Sequence, residues 1–216
     1  MSSASSAQRP SAKRPSAPPA AYIAVIGPGR GATQSETDTA REVGGLLAAR
    51  GAIVVCGGLG GVMAAACEGA HRNGGLTVGV LPGRDRAAAN PYLSVALPTG
   101  LGELRNGLVV GASDAVIAVG GSWGTLSELA LAMRTGKPVV AIGGWMVSDP
   151  ARAPNLRTGA DAAVLPGADA AVLPVADAAV LPGTDPAVLI EARSAAQAVD
   201  IALRLAADQS AKVAPR

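Results

Sequence analysis

Short runs of apolar, β-branched residues alternate along this chain with longer stretches of helical periodicity. The runs fall at 22–27 (YIAVIG), 52–58 (AIVVCGG), 76–82 (LTVGVLP), 94–98 (SVALP), 115–121 (AVIAVGG), 138–144 (PVVAIGG) and 187–192 (AVLIEA). Most are apolar at every position rather than at every second one, which is the pattern of strands buried on both faces. Helix candidates lie between them at 37–50, 61–73, 101–112, 125–135 and 194–208. The alternation predicts an α/β fold: a doubly wound, mainly parallel Rossmann-like sheet of about seven strands with helices on both faces. Run 94–98 is the weakest strand, and the 83–93 connection before it, with Arg84, Asp85, Arg86 and Pro91, is irregular.

Two segments break the rhythm. Residues 1–20 hold Ser, Ala, Pro and basic residues with no apolar run, and are expected to be a disordered tail without a secretory signal. Residues 21–208 then form a single domain, followed by a short tail at 209–216. Inside the domain, an insertion at about 148–186 contains the tandem octads GADAAVLP, GADAAVLP, VADAAVLP and GTDPAVLI. Eight residues is too short a period for a solenoid. The array reads as a duplicated lead-in to the last strand. One copy is expected in the edge slot of the sheet and the others in an exposed loop, although copies sharing one AVL core can also compete for the slot. Deleting 159–182 is expected to leave the fold intact.

A length of 216 residues suits one domain with a sizeable core. Apolar residues make up 49% of the chain, yet there is no Phe and there are only two Trp and two Tyr. The core is therefore built from Val, Leu, Ile and Ala. Gly, Pro or a charge interrupts every apolar stretch before it reaches membrane-spanning length, so no membrane partner is expected and the location is read as cytoplasmic. The net charge of +2 arises in the tail, where Arg9, Lys13 and Arg14 face no acid; the rest of the chain is slightly acidic. That balance, with so few aromatics, argues against a nucleic-acid partner. Cys56 and Cys67 read as reduced core residues and His71 as a surface residue; together they make no metal site.

The chemistry points to three glycine-rich turns that end strands: GPGRGA (27–32), CGGLGGVM (56–63) and GGSWGTLSE (120–128). Glycine lets backbone N–H groups approach an anion, and a helix starting after the turn adds its positive end. Gly27, Gly29 and Ala32 satisfy a dinucleotide fingerprint, but the second strand ends in Cys56-Gly57-Gly58 without the acid that binds ribose hydroxyls. Conventional NAD binding is disfavoured, and no G-K-[ST] completes a Walker loop. In the third turn, Thr125 offers a hydroxyl and an N–H to a phosphate; equally, Thr125 and Glu128 fit a helix capping box that needs no ligand. Trp123 either covers a flat ligand or shields the turn. Arg105, early in the 101–112 helix, is either a solvated side chain or a partner for an anion.

Taken together, these residues resemble the Rossmann-like family named for the plant LONELY GUY enzymes, often mislabelled lysine decarboxylases. These hydrolyse the N-glycosidic bond of cytokinin riboside 5′-monophosphates. The family's G-G-x-x-G-x-M turn has its counterpart in Gly57, Gly58, Gly61 and Met63, with Gly60 between. Its P-G-G-x-G-T-x-x-E signature corresponds to Gly120, Gly121, Ser122, Trp123, Gly124, Thr125 and Glu128, and its upstream Arg to Arg105. Three departures stand out: Gly120 replaces the Pro, Ser122 replaces the second Gly, and Asn106 replaces a Lys. The Arg105-Asn106 pair and the G-T-L-S-E ending at 124–128 resemble more closely a sister branch that includes the algal molybdenum-cofactor carrier protein.

The resemblance implies a phosphorylated ligand held by Gly27, Gly57, Gly58, Gly60, Gly61 and residues 121–125. It implies Arg105 and Glu128 as catalytic residues if turnover occurs, with Glu128 holding ribose hydroxyls or orienting water against an oxocarbenium-like centre. No cofactor is required. A nucleotide or the molybdenum cofactor is the bound group the resemblance implies, and a homodimer or higher homo-oligomer the assembly.

Overall fold

The computed structural model describes residues 20–144, 171–174 and 188–213. Its strands are β1 (Tyr22–Ile26), β2 (Ile53–Cys56), β3 (Thr77–Leu81), β4 (Val95–Pro98), β5 (Ala115–Val119), β6 (Val139–Ile142), β7 (Ala171–Pro174) and β8 (Val188–Glu191). They form one sheet in the order β4-β3-β2-β1-β5-β6-β8-β7. Every neighbouring pair is parallel except β7 with β8. The seven parallel strands are those the apolar runs mark.

The eighth strand corrects the expectation for the octads. β7 is the AVLP of the second copy, paired antiparallel with β8 from the fourth, with Leu173 opposite Leu189. Two copies thus enter the sheet where one was expected. The edge of β8 presents unpaired backbone groups, and a second copy of the same apolar sequence satisfies them. The first and third octads lie outside the described residues, as does the tail to residue 19.

Side chains alternate across the central strand and so split the core in two. Ile23 and Val25 of β1 face α1 (Gln34–Ala49), α2 (Val62–Arg72) and α5 (Ala195–Val213). Ala24 and Ile26 face α3 (Asn106–Gly111) and α4 (Trp123–Arg134). This is the doubly wound arrangement. α1 and α2 pack closely: a Cβ on Gly44 would collide with the backbone of Ala66, and Arg41 Nε pairs with Glu68 Oε2 at 2.8 Å.

Two helix boundaries differ from the periodicity. The stretch 101–112 is a 3-10 turn (Gly102–Arg105) leading into the six-residue α3. Gly102 has φ +56°, outside right-handed helix, and Gly107 and Gly111 weaken α3 itself. α5 runs on to Val213 through the predicted tail, because its last residues are mostly helix formers.

Candidate functional site

Chain order reverses at the middle of the sheet. β2, β3 and β4 lie to one side of β1, and β5, β6 and β8 to the other. In open α/β sheets a ligand binds in the crevice outside the carboxyl ends of the strands at such a reversal. Gly27 ends β1 and Gly120 ends β5, so these turns flank the crevice; Gly57–Gly61, after β2, lies beside them. The turns are locked together. Val62 donates its N–H to the Pro28 carbonyl at 3.0 Å, and a Cβ on Gly27 would collide with the Val119 carbonyl oxygen. Gly60 differs from these: open space surrounds its Cβ position, so packing alone would admit a side chain there.

Arg105 reaches under the second turn. Only 6% of the residue is exposed, and a Cβ on Gly57 would lie 2.7 Å from the centre of its guanidinium. Glycine at 57 is therefore what lets Arg105 lie flat against the turn. The arginine is poorly partnered for a buried charge. Its Nη1 stands 3.5 Å from Glu128 Oε1, long for a charge-assisted bond, and its Nε has no hydrogen-bond partner. Buried donors are normally satisfied, so this Nε needs an acceptor that the described residues do not supply. Glu128 is also buried. Burial pushes its carboxyl up from 4.5 to about 7, against the opposing pull of Arg105 and with Glu103 adding to the rise. Near neutrality the Glu128 carboxyl thus gains or loses a proton easily beside a permanent cation. The solvated reading of Arg105 does not survive.

The capping box between Thr125 and Glu128 is also absent. α4 begins at Trp123, and its cap is Ser122, whose Oγ accepts the Thr125 N–H at 3.2 Å and contacts Thr125 Oγ1 at 2.9 Å. Thr125 is buried, with both its N–H and its hydroxyl engaged by this cap. Glu128 lies a turn further in and faces Arg105 instead. Trp123, at the first helical position, is 79% exposed. A recess beside it is lined by Gly120, Gly121, Ser122, Thr125 and Gly143. Beneath the second turn, Cys56 and Cys67 are free and buried as expected, with their sulfurs 3.4 Å apart. Cys56 Sγ accepts the Gly58 N–H at 3.3 Å and so helps to fix the turn. Contact with Cys56, together with burial, keeps the Cys67 thiol protonated.

The sequence pattern of the SLOG cluster4 family matches residues 20–164, a span that takes in all three turns and the Arg105–Glu128 pair. The chain belongs to the SLOG cluster4 family. An uncharacterized protein of Archaeoglobus fulgidus is 42% identical over 120 residues, which are 56% of this chain and 78% of that one. The molybdenum cofactor binding protein of Rippkaea orientalis is 40% identical, with a TM-score of 0.57 over 58% of this chain and 77% of its own. The molybdenum cofactor carrier protein of Chlamydomonas reinhardtii is 28% identical, with a TM-score of 0.66 over 88% of this chain and 99% of its own.

In this SLOG cluster4 chain the three departures from the LONELY GUY signature have local physical reasons. Gly120 has φ +66°, which proline cannot adopt, and a Cβ there would lie 2.5 Å from the Glu36 carboxyl carbon. Ser122 supplies the cap of α4 that a glycine lacks. Asn106 is buried and donates to Ser127 Oγ at 3.1 Å, tying α3 to α4. Sequence reasoning missed Glu36. Its carboxylate reaches the central crevice from α1, although it is far from the third turn in sequence. The one available signal was Thr33-x-x-Glu36, a capping-box pattern that fixes where this side chain sits.

Proposed function

We propose that the chain binds a phosphorylated small molecule in the central crevice and holds it without chemistry, as a carrier of the molybdenum-cofactor type. The observation that carries this reading is Arg105: a buried cation with an unsatisfied Nε, laid against the glycine turn next to the reversal point of the sheet. An anionic phosphate would supply the missing acceptor. The donor set suits the terminal phosphate of such a cofactor: Arg105 as the charge, and the turns around Gly57–Gly61 and Gly121–Gly124 as backbone donors. The Rippkaea and Chlamydomonas proteins are described as binding or carrying the molybdenum cofactor, and their likeness to this chain supports the same cargo.

A second reading, hydrolysis of a nucleoside 5′-monophosphate to free base and ribose 5-phosphate, is favoured by one feature. The Glu128 carboxyl, at about 7, is poised to move a proton at neutral pH beside a cation. Mass spectrometry of a nucleotide panel incubated with wild type and with Glu128→Ala separates the two. The carrier reading expects retained, unchanged ligand with both proteins. Free base released by the wild type alone would overturn it in favour of the hydrolase.

The assembly we propose is a homodimer joined through the 3-10 turn and α3. Leu101, Leu104 and Leu108 fall along this segment and are 47%, 81% and 46% exposed. A second copy of the same stripe would cover them; the family resemblance implies self-association without naming the surface.

A further inference from the structure

The capping box at the start of α1 leaves half of a carboxylate unused. Glu36 Oε2 accepts the Thr33 N–H at 2.7 Å and the Thr33 hydroxyl at 2.9 Å. These two bonds fix the side chain. Oε1 accepts no hydrogen bond among the described residues, and it lies against Gly120, whose lack of a Cβ and φ of +66° make room for it. A free carboxylate oxygen is thereby pinned at the crevice between the first and third turns, on the side of the sheet opposite the Arg105–Glu128 pair.

Glu36 is half-buried and water reaches Oε1, so a ligand that displaces this water loses affinity unless it donates to the oxygen in its place. Phosphate oxygens would be repelled from Oε1 and drawn to Arg105 and the α4 turn. A ligand that fills the crevice satisfies both ends only if it carries an anion at one end and a donor at the other. We propose that Glu36 Oε1 accepts a hydrogen bond from the ligand, so that the ligand is a phosphorylated compound bearing an N–H or O–H group near its phosphate. The inference deepens the binding function above and rests on its anion site. It makes Glu36 a specificity residue: it selects against bare polyphosphates and orients the ligand across the sheet.

The test is calorimetric titration of wild type and Glu36→Gln with pyrophosphate, ribose 5-phosphate and GMP. Glutamine also completes a capping box, so α1 keeps its start, and an unchanged melting curve checks this. Wild type should bind ribose 5-phosphate or GMP more tightly than pyrophosphate. Glu36→Gln should weaken the favoured ligand about tenfold or more, as expected for a hydrogen bond to a charged group. Its pyrophosphate affinity should stay the same or rise. Weakening of ribose 5-phosphate assigns the donor to a hydroxyl; weakening of GMP alone assigns it to a heterocyclic N–H. Equal loss for all three ligands, loss for none, or no wild-type preference over pyrophosphate overturns the role of Glu36. No pyrophosphate binding by wild type would remove the anion site itself, and this inference with it.

Discussion

Glu128 is the residue whose environment most changes its chemistry. Taken out of water beside an arginine that is too distant to compensate, it holds its proton up to about pH 7. The unfolded chain releases that proton near 4.5. Folding therefore gains most from this group below the unfolded value, and the gain is lost as pH rises through the folded one. Between about pH 4.5 and 7 wild type should lose on the order of 3 kcal/mol of stability that Glu128→Gln does not lose. Urea denaturation across that window checks it; parallel curves for the two proteins would mean that Glu128 ionises normally. Arg105 shows why residue type alone misleads. As a residue near a helix start it reads as solvated, yet Gly57 lets it lie buried against the turn.

At the scale of the element, α4 carries the third turn, and its start is set by Ser122. The helix begins two residues before Thr125 because Ser122 already satisfies the Thr125 N–H. Ser122→Ala should cost about 1 kcal/mol and Ser122→Gly only a few tenths, read as shifts in thermal midpoint. A loss as small for Ala as for Gly would mean that the cap is dispensable. The Gly in the family signature and the Ser here are thus both compatible with a turn at this place, and Ser adds a cap. The short α3 makes the complementary point. Periodicity predicted a full helix, but Gly102 and the glycines after it leave a 3-10 turn and six helical residues.

For the whole molecule, two surfaces can be probed by mutation. Leu104→Glu, at the most exposed leucine of the α3 stripe, should convert a dimer to a monomer in sedimentation velocity while leaving the melting transition in place. An unchanged sedimentation coefficient would place any self-association elsewhere. At the edge of the sheet, deleting 159–182 removes β7 and leaves β8 as the last strand. The deletion should still unfold in one cooperative transition, with stability lowered by about 1–2 kcal/mol for the lost edge pairing. Loss of cooperativity would show that the octads are part of the domain core. Among the described residues no helix is long and apolar enough to cross a membrane.

The sequence by itself determined the seven parallel strands, because central strands buried on both faces must be apolar throughout and β-branched runs mark them; only β4, half-exposed at the edge, left a weaker mark. It also marked the three turns, since consecutive glycines after a strand have few other uses. Tertiary structure alone decided what each glycine faces and what each charge meets. Gly57 and Gly120 look alike in sequence, but one makes room for Arg105 and the other for Glu36, and these guanidinium and carboxylate groups come from distant parts of the chain. It also decided that Thr125 belongs to a cap, and that a second octad pairs with the edge. Local patterns follow from neighbours along the chain. Burial, pairing and shifted protonation follow from neighbours in space, which only the folded sheet assembles.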